Sequence, residues 1–535
     1  MSQRSLKLSY WQDAPMPREQ LVLFPTHLEE MIPADHPVRL LDEILDRLDW
    51  TKWEAVYHGR RGQPPIHPSV LAKVILFSMI RRVRSSRQIE YQLKHSIDFI
   101  WLTSGRVIDH TTLSEFRRKH QAELKDIFKQ MVKLAINLGI SKLSELCIDG
   151  TRVLANASRY STWTTERLQK VMELLDAQIS QALESLNITD QTEDELFGAE
   201  VTADKLPSDL RDLKERREKL ASVMNAVQEM DEARQKSRIK GAAQIPKTDS
   251  DARILPNKEG GFAANYTPMV TTETHGGLIV HSHVVIGNVE HDQVISIVDC
   301  VVSDLEVEIE CLLMDAAYTT GKNLTEVEQR NIEIVGPLAE KQSPNNPAVR
   351  ENLNERVAED RVSDLPINPQ TKRLDKSAFI RNEEEDSYYC PAGRCLPYVS
   401  TTNTTTSQGT PVQRRTFRCP DCSGCELVQL CLKTKDQEKK RGRTVVDDEH
   451  EPARRRHRER MKTDEAKAGC ARRQHLGEQP FALIKEQFGL RRFLLRGIEG
   501  VNQEWLWATT SHNLLKLIKR GDTLRALLAA SNQNS

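Results

Sequence analysis

The chain has 535 residues, a formal net charge of −1, and too much length for one hydrophobic core, so we expect two to four domains. No run of about 18 uncharged apolar residues occurs, which argues against a membrane-spanning helix. The N-terminal residues contain no apolar run after their basic positions, so no signal peptide is predicted and a cytoplasmic location is expected.

Residues 17–140 are predicted to form a helical domain, because apolar residues recur there at helical spacing. The block DHTTLSEFRRKH predicts a helix capped at Thr111 or Thr112. Short helices ending in a basic one are typical of a helix-turn-helix-like DNA-binding unit. A plain helical bundle with a basic face fits the same periodicity. The basic residues expected to face outward are Arg117, Arg118 and Lys119.

From residue 141 the pattern changes to strands. The run SELCIDGT predicts a buried strand ending at Asp149, and ECLLMDAAYTT predicts a second ending at Asp315. Between them, residues 262–287 predict a β-hairpin, and HDQVISIVDCVVSD predicts a helix. The order strand, hairpin, helix, strand, helix, strand over residues 141–340 indicates an α/β fold with a mixed sheet flanked by helices.

Two heptad-like apolar stripes predict a helical hairpin at about residues 163–235. The hairpin is expected to pack on itself, with dimerisation through it as the alternative. The stripes consist of Leu168, Met172, Leu175, Ile179, Ala182 and Leu186, and of Leu210, Leu213, Leu220, Met224 and Val227.

Residues 341–470 are polar and predict an insertion with little core, part of it disordered. Basic residues crowd residues 432–473, which indicates either a nucleic-acid-binding face or an ordinary solvated surface. Residues 471–520 are predicted to be helical again, with breaks at Gly489 and Gly497.

Six cysteines lie within this polar stretch, spaced C-x4-C and then C-x2-C-x2-C-x5-C. Four thiolates at such spacings can close a tetrahedral structural Zn²⁺ site, and a polar segment without a core gains much stability from such a metal. Free thiols in a flexible loop are the alternative. The six are Cys390, Cys395, Cys419, Cys422, Cys425 and Cys431.

The carboxylates at the two strand ends suggest metal chemistry. Asp149 and Asp315 are each followed by small residues, and ligand sites gather at the ends of strands in such sheets. Two neighbouring carboxylates repel unless a cation lies between them, and Mg²⁺ prefers oxygen ligands. A third carboxylate would complete a pair of cations roughly 3.5–4 Å apart, suited to in-line phosphoryl displacement.

Several sequence blocks resemble bacterial insertion-sequence DDE transposases of the eleven-eighty-two type. The likeness covers most of residues 20–518 and implies a ribonuclease H-like catalytic core. It also implies a helical N-terminal domain, a helical-hairpin insertion and a Cys-rich insertion before the last carboxylate. The blocks are IDGTRVLANAS, NKEGGFAANYTP, NVEHDQVISIVD, LMDAAYTTGKNL and GEQPFALIKEQFGLRRFLLRGIEGV, with LFPTHLEEMIPADHPVRLLDEIL and IDHTTLSEFRRKH in the N-terminal part.

The resemblance implies that Asp149, Asp315 and Glu478 are the catalytic carboxylates and hold two Mg²⁺ or Mn²⁺ ions. Glu486 is a competing candidate for the third position. Lys485, seven residues after Glu478, matches the family's lysine and would lie on the same helix face, in contact with the DNA backbone. The cysteines implied to bind zinc are Cys390, Cys422, Cys425 and Cys431, with Cys395 and Cys419 as alternates.

This sequence also departs from the family pattern. Family members carry a tyrosine and one or more arginines just before the glutamate, where this chain has Cys470-Ala471-Arg472-Arg473-Gln474. The tyrosine is absent, which puts the positioning of the DNA strand end in doubt. Arg472 or Arg473 would supply the phosphate contact, alongside Arg117 and Arg118 in the N-terminal domain.

The function implied is Mg²⁺-dependent cleavage and strand transfer of the protein's own insertion sequence. The expected partners are double-stranded DNA, as terminal inverted repeats and target DNA, and further copies of the chain in a homodimer or larger complex. The expected location is the bacterial cytoplasm, at the nucleoid. Two other classes compete: a DNA-binding protein with a decayed catalytic site, and a metal-dependent nuclease that cuts but never joins.

Overall fold

The computed structural model describes residues 27–57, 65–197, 208–236, 239–257, 260–339, 345–405, 411–433, 436 and 441–533. The first ten residues of the predicted helical domain, 17–26, lie outside this part of the chain. Within it, no helix is both long enough and apolar enough to cross a membrane.

The helices begin in the N-terminal part and recur to the C-terminus. A π-helix, Leu483–Gln487, follows α14, and short 3-10 helices span Leu28–Met31, Glu290–Gln293, Glu359–Asp364 and Lys376–Ala378. The α-helices are α1 (Pro37–Asp46), α2 (Thr51–Ala55), α3 (Pro68–Ile80), α4 (Ser86–His95), α5 (Ile97–Leu102), α6 (His110–Arg118), α7 (Gln121–Asn137), α8 (Thr165–Phe197), α9 (Ser208–Lys236), α10 (Val294–Leu305), α11 (Gly321–Glu328), α12 (Val428–Cys431), α13 (Glu451–Arg460), α14 (Asp464–Ala482), α15 (Gly497–Ile518) and α16 (Gly521–Gln533).

The strands form one large mixed sheet, a smaller antiparallel sheet and two short two-stranded pairs. They are β1 (Glu145–Gly150), β2 (Val153–Leu154), β3 (Thr162–Trp163), β4 (Ile245–Pro246), β5 (Arg253–Pro256), β6 (Phe262–Glu273), β7 (Ile279–Val285), β8 (Cys311–Leu313), β9 (Glu333–Val335), β10 (Ile367–Asn368), β11 (Arg373–Leu374), β12 (Ile380–Asn382), β13 (Ser387–Tyr389), β14 (Cys395–Thr405), β15 (Pro411–Arg418) and β16 (Thr444–Asp448).

The large sheet confirms the predicted mixed architecture. β1 lies between β6, to which it is antiparallel, and β8, to which it is parallel. β7 pairs antiparallel with β6, and β9 pairs parallel with β8. The long strand β6 pairs with β7 at one end and with β2 and β5 at the other. The apolar residues of β1 and β8 are buried, as their short hydrophobic runs predict.

Helix α15 is buried along most of its length and connects the sheet to the N-terminal helices. It packs against β7 on one side and against α3, α6 and α7 on the other. The side chain of Asn513 bonds to the backbone N–H and C=O of Ile279, at 2.8 and 2.7 Å, and Asn502 accepts from the N–H of Val284 at 2.8 Å. These asparagines pair backbone groups of β7 that lack a strand partner, which closes this edge of the sheet.

A buried ion pair fixes the N-terminal helices to α15 and to the turn before it. Arg84, after α3, contacts Glu504 at 2.6 Å, and their side chains are 14% and 2% exposed. Arg84 also donates to the carbonyl oxygens of Gly489 and Arg492. The second Glu504 oxygen accepts from the backbone N–H of Leu494. The turn after the π-helix is therefore held by side chains from both parts of the chain.

Helix α6 corrects two sequence predictions. Its N-cap is Asp109, which accepts from the backbone N–H groups of Thr111 and Thr112, so neither threonine is the cap. Arg117 is buried, whereas Arg118 is exposed as predicted. The outward orientation predicted for Arg117 is wrong because it turns toward the ion pair near Glu504; burial lowers its pKa and the glutamate raises it.

Helices α8 and α9 lie in the range of the predicted hairpin and pack on each other around a separate hydrophobic cluster. Arg217 on α9 pairs with Asp176 on α8, which adds a polar contact at the edge of the cluster. The side chains of Leu186 and Leu210 lie outside the described residues. The buried members of the cluster are Leu168, Leu175, Leu220, Val227, Ala243 and Ile245.

The expectation of little core in residues 341–470 is wrong. This region holds the antiparallel sheet β12 to β16 and a second hydrophobic cluster. Its strands are short or polar on one face, so apolar residues appear singly in the sequence and give weak periodicity. The buried members are Ala348, Val357, Leu365, Leu374, Ala378, Phe379, Tyr388, Cys390, Leu396, Phe417, Cys419, Leu427, Cys431, Leu432 and Val445.

The arginines of α13 form ion pairs that connect this second unit to the main sheet. Arg456 pairs with Glu328 of α11 at 2.6 Å. Glu451 is buried and contacts Lys376, Arg454 and Arg458, each at 2.8–2.9 Å. The basic run in α13 therefore has a structural role, because its charges are matched within the chain.

Glu451→Gln should lower the free energy of unfolding by about 3 kcal/mol at pH 7. Burial of Glu451 raises its pKa, but Lys376 and Arg454 outweigh that effect and hold the pKa at about 2, against an ordinary 4.5. Because the folded-state pKa is depressed, this stabilisation is present above pH 4.5 and is lost as the pH falls toward 2.

Denaturant unfolding of the two proteins between pH 7 and pH 3 measures this difference. The matched control is Glu449→Gln, because Glu449 is exposed and its ion pair with His450 is long, at 3.8 Å. A constant difference between wild type and Glu451→Gln across this pH range would contradict the account.

Candidate active site

The parallel pairing of β1 and β8 places two aspartates side by side at one edge of the sheet. Cys147 pairs with Leu313, so Asp149 and Asp315 each follow this pair by two residues. Each carboxylate accepts from the N–H of the next residue, Gly150 in one case and Ala316 in the other. Both side chains are half-buried.

A buried tyrosine fills the space between the two strand ends. Tyr318 belongs to the turn that begins at Asp315, whose carbonyl oxygen accepts from the Tyr318 N–H at 2.9 Å. Its hydroxyl would lie 2.7 Å from a Cβ at position 150, so only glycine fits there without displacement. Burial raises the pKa of Tyr318, and the charges of Asp149, Glu290 and Asp315 raise it further.

Helix α14 packs on the end of β1 through a glycine. A Cβ on Gly477 would lie 2.8 Å from Asp149 Oδ2, so the absent side chain allows the helix backbone to approach the carboxylate. Glu478 is the next residue and is exposed. In the part of the chain that the structure describes, no three acidic, histidine or cysteine side chains are grouped closely enough to hold one metal ion. Asp149 and Asp315 thus follow neighbouring strands, and the contact of α14 with Asp149 is made by Gly477, the residue before Glu478.

Lys485 reaches the same strand end. Its ammonium donates to Thr151 Oγ1 at 2.6 Å, two residues beyond Asp149. Glu486, the competing third carboxylate, is exposed and accepts from Arg491, which lowers its pKa. Lys485 therefore contacts the segment after Asp149, whereas Glu486 pairs with an arginine further along the chain.

The two arginines before Glu478 occupy different environments. Arg472 forms an ion pair with Glu145 at 2.8 Å, at the far end of β1 from Asp149. Arg473 is half-buried. Burial raises the pKa of Cys147, and the charge of Arg473 lowers it by a smaller amount. Arg473 precedes Gly477 by four residues and so lies on the helix face that packs on β1.

A second candidate site lies in the small sheet, where five of the six predicted cysteines line one cavity of about 20 Å³. Cys395 is not among them. Burial raises the pKa of Cys431 to about 12, and the hydrogen bond from Cys419 lowers the pKa of Cys422 to about 6. The cavity cysteines are Cys390, Cys419, Cys422, Cys425 and Cys431.

Backbone N–H groups point at two of these sulfurs. Arg394 N–H donates to Cys390 Sγ at 3.3 Å, and Arg443 N–H donates to Cys422 Sγ at 3.4 Å. Such bonds stabilise thiolates, which are the form that binds metal. The four cysteines implied by the resemblance thus line one cavity, together with Cys419.

Sequence reasoning missed Tyr318, Glu290 and Arg152 near the strand ends. Tyr318 and Arg152 lie within three residues of a predicted carboxylate, so their proximity was a usable signal. Glu290 lies on a different element from either aspartate, and only the tertiary fold brings it to Arg152.

Two family models match the chain. One, described as a transposase domain (DUF772), matches residues 26–119, and the other, described as a transposase DDE domain, matches residues 389–518. The second match contains Glu478 and the cysteines, whereas Asp149 and Asp315 lie outside both. No curated protein matches the chain.

Gly477→Ala should lower the free energy of unfolding by about 1–3 kcal/mol, because its methyl group would overlap the Asp149 carboxylate. Helix propensity alone predicts the opposite sign, a stabilisation of about 1 kcal/mol. Denaturant unfolding of the purified variant measures the change. Gln474→Ala, at an exposed position of the same helix, is the matched control. Increased stability of Gly477→Ala would show that the helix does not contact Asp149 closely.

Proposed function

We propose that this chain, an insertion-sequence DDE transposase, cleaves and joins DNA by phosphoryl transfer at Asp149 and Asp315, with Glu478 as the third carboxylate. One observation carries the assignment of these residues. The parallel register of β1 and β8 sets the two aspartates at one sheet edge, and α14 contacts Asp149 through Gly477, the residue before Glu478.

The strand arrangement supports a ribonuclease H-like core. Its order is β7, β6, β1, β8, β9, with antiparallel pairing up to β1 and parallel pairing after it. In this interpretation α8 and α9 are an insertion between β3 and β4. The Cys-rich unit is a second insertion, between β9 and α14, just before the third carboxylate.

DDE transposases depend on divalent metal ions, and the donor set here suits Mg²⁺ or Mn²⁺, because all its ligands are carboxylate oxygens. When bound, two such ions would polarise the phosphate and lower the pKa of the attacking water or 3′-hydroxyl. Asp149 and Asp315 would hold them from the strand ends. Glu478, on an exposed side chain, would turn toward Asp149 to complete the set.

The surrounding cations would position the DNA. Lys485, near Thr151, lies where a backbone phosphate would approach the carboxylates, and Arg473 faces the same strand. Arg118 is exposed on the N-terminal helices and is a candidate contact to the terminal repeats. Binding of element ends and target DNA should weaken as salt rises. The active complex would be a homodimer or larger, in the bacterial cytoplasm at the nucleoid.

We further propose that the cysteine cavity binds one structural Zn²⁺. Cys390, Cys422, Cys425 and Cys431 would supply the thiolates, and the backbone donors to Cys390 and Cys422 support this assignment. The metal would stabilise the fold of the small sheet next to α13.

Asp149→Asn, Asp315→Asn and Glu478→Gln should each lower the rate of strand cleavage more than about a hundredfold, because each removes a metal ligand. The substrate is a duplex carrying the inverted repeat that flanks the gene, with Mg²⁺. Glu486→Gln is the matched control and should retain activity within about threefold of wild type.

The outcomes of this assay separate the alternatives. Loss of activity in Glu486→Gln but not in Glu478→Gln would reassign the third carboxylate. No cleavage by the wild-type protein would contradict the enzyme function. Cleavage without joining of pre-cut ends would identify a nuclease instead.

Metal analysis by mass spectrometry tests the zinc proposal, with about one Zn²⁺ per chain expected. Cys422→Ser and Cys425→Ser should lose the metal and unfold at lower temperature. Cys395→Ser, outside the cavity, should keep it. Zinc-free protein purified under reducing conditions would contradict the proposal.

A further inference from the structure

Glu290 begins the 3-10 helix that follows β7, and this helix is fixed to the turn after Asp315. The side-chain amide of Asn323 donates to two carbonyl oxygens, those of His291 at 2.9 Å and of Tyr318 at 2.8 Å. Asn323 is itself buried. His291, next to Glu290, is therefore linked by the Asn323 hydrogen bonds to the turn that begins at Asp315.

Arg152 holds one oxygen of the Glu290 carboxylate. This arginine lies three residues after Asp149, and it donates to Glu290 Oε1 at 2.9 Å. It is itself fixed by bonds of 2.6 Å to Thr267 Oγ1 and Asn288 Oδ1. The Glu290 side chain is 18% exposed. The Glu290 segment is linked to the end of β1 through Arg152 and to the turn after β8 through Asn323.

The other oxygen of Glu290 is unsatisfied. Oε2 is buried, and it has no hydrogen-bond partner among the described residues. Burying a carboxylate oxygen without a donor or a cation is costly, so such an atom commonly marks the place of an ion or a water molecule. Tyr318 lies beside Gly150 at the end of β1, and the charges of Asp149, Glu290 and Asp315 all raise the pKa of its phenol.

We propose that Glu290 is a fourth carboxylate ligand of the divalent-cation site at the ends of β1 and β8. Arg152 is its positioning residue, because it fixes Oε1 and leaves Oε2 for the cation. This inference rests on the proposed function for the location of that site. A cation at the strand ends would satisfy Oε2, and it would offset the repulsion among three neighbouring carboxylates.

A purely structural role for Glu290 makes a different prediction. Glu290→Gln keeps the side-chain shape and an oxygen that can accept from Arg152, but it replaces one carboxylate oxygen with an amide that cannot bind a cation. A structural ion pair would therefore leave cation affinity unchanged in this variant, whereas a ligand would not.

The experiment is calorimetric titration of Mn²⁺ into the full-length protein without DNA. Glu290→Gln should weaken Mn²⁺ binding at least about tenfold. The matched control is Asp292→Asn, on the same 3-10 helix, whose side chain is 54% exposed; its affinity should stay within about twofold of wild type. Asp149→Asn should lose binding as well.

Wild-type affinity in Glu290→Gln, with loss in Asp149→Asn, would overturn the fourth ligand and leave the proposed function intact. Wild-type affinity in both variants would overturn the proposed metal site too. Loss in Glu290→Gln alone would place the cation elsewhere and would also overturn the inference.

Fe²⁺-dependent cleavage of the wild-type backbone provides a test that needs no variant. Hydroxyl radicals generated at a bound Fe²⁺ should cut near Asp149, near Asp315 and also near Glu290. Cuts at the two strand ends without any near Glu290 would overturn the inference, even if Glu290→Gln fails to fold.

Discussion

The buried ion pair between Arg84 and Glu504 is the contact on which the arrangement of the candidate active site depends. It joins the N-terminal helices to α15, and both partners also bind backbone groups of the turn that follows the π-helix. Because both charges are buried, removing either one would leave the other without compensation. The π-helix that follows α14 ends at this turn, so the segment after the Glu478 helix is held by residues more than 400 positions away in sequence.

Charge compensation separates structural carboxylates from candidate functional ones. Glu451 forms ion pairs with Lys376, Arg454 and Arg458, so its charge is compensated by groups that hold the small sheet next to the main one. At the strand ends, three carboxylates act on the Tyr318 phenol, and Glu290 retains an unsatisfied buried oxygen. A site of the second kind suits a bound cation, which the proposed phosphoryl transfer at these residues would require.

Much of the fold was predictable because it depends on local patterns. Strands β1 and β8, the paired helices α8 and α9, and the breaks at Gly489 and Gly497 all follow from short-range periodicity or glycine, although β8 ends at Leu313, two residues before the predicted end at Asp315. The core of residues 341–470 was not predictable, because its apolar residues are isolated in sequence and meet only in the folded sheet. The burial of Arg117 and the approach of Glu290 likewise depend on contacts with distant segments.

The assignment of Asp149, Asp315 and Glu478 to one metal-dependent centre is tested most directly by a crystal structure with Mn²⁺ and a pre-cut element end. Anomalous scattering locates Mn²⁺ independently of the protein coordinates. The account predicts Mn²⁺ between Asp149 and Asp315, with Glu478 turned in to complete the ligand set. Mn²⁺ coordinated by Glu486, or absent from the ends of β1 and β8, would contradict it.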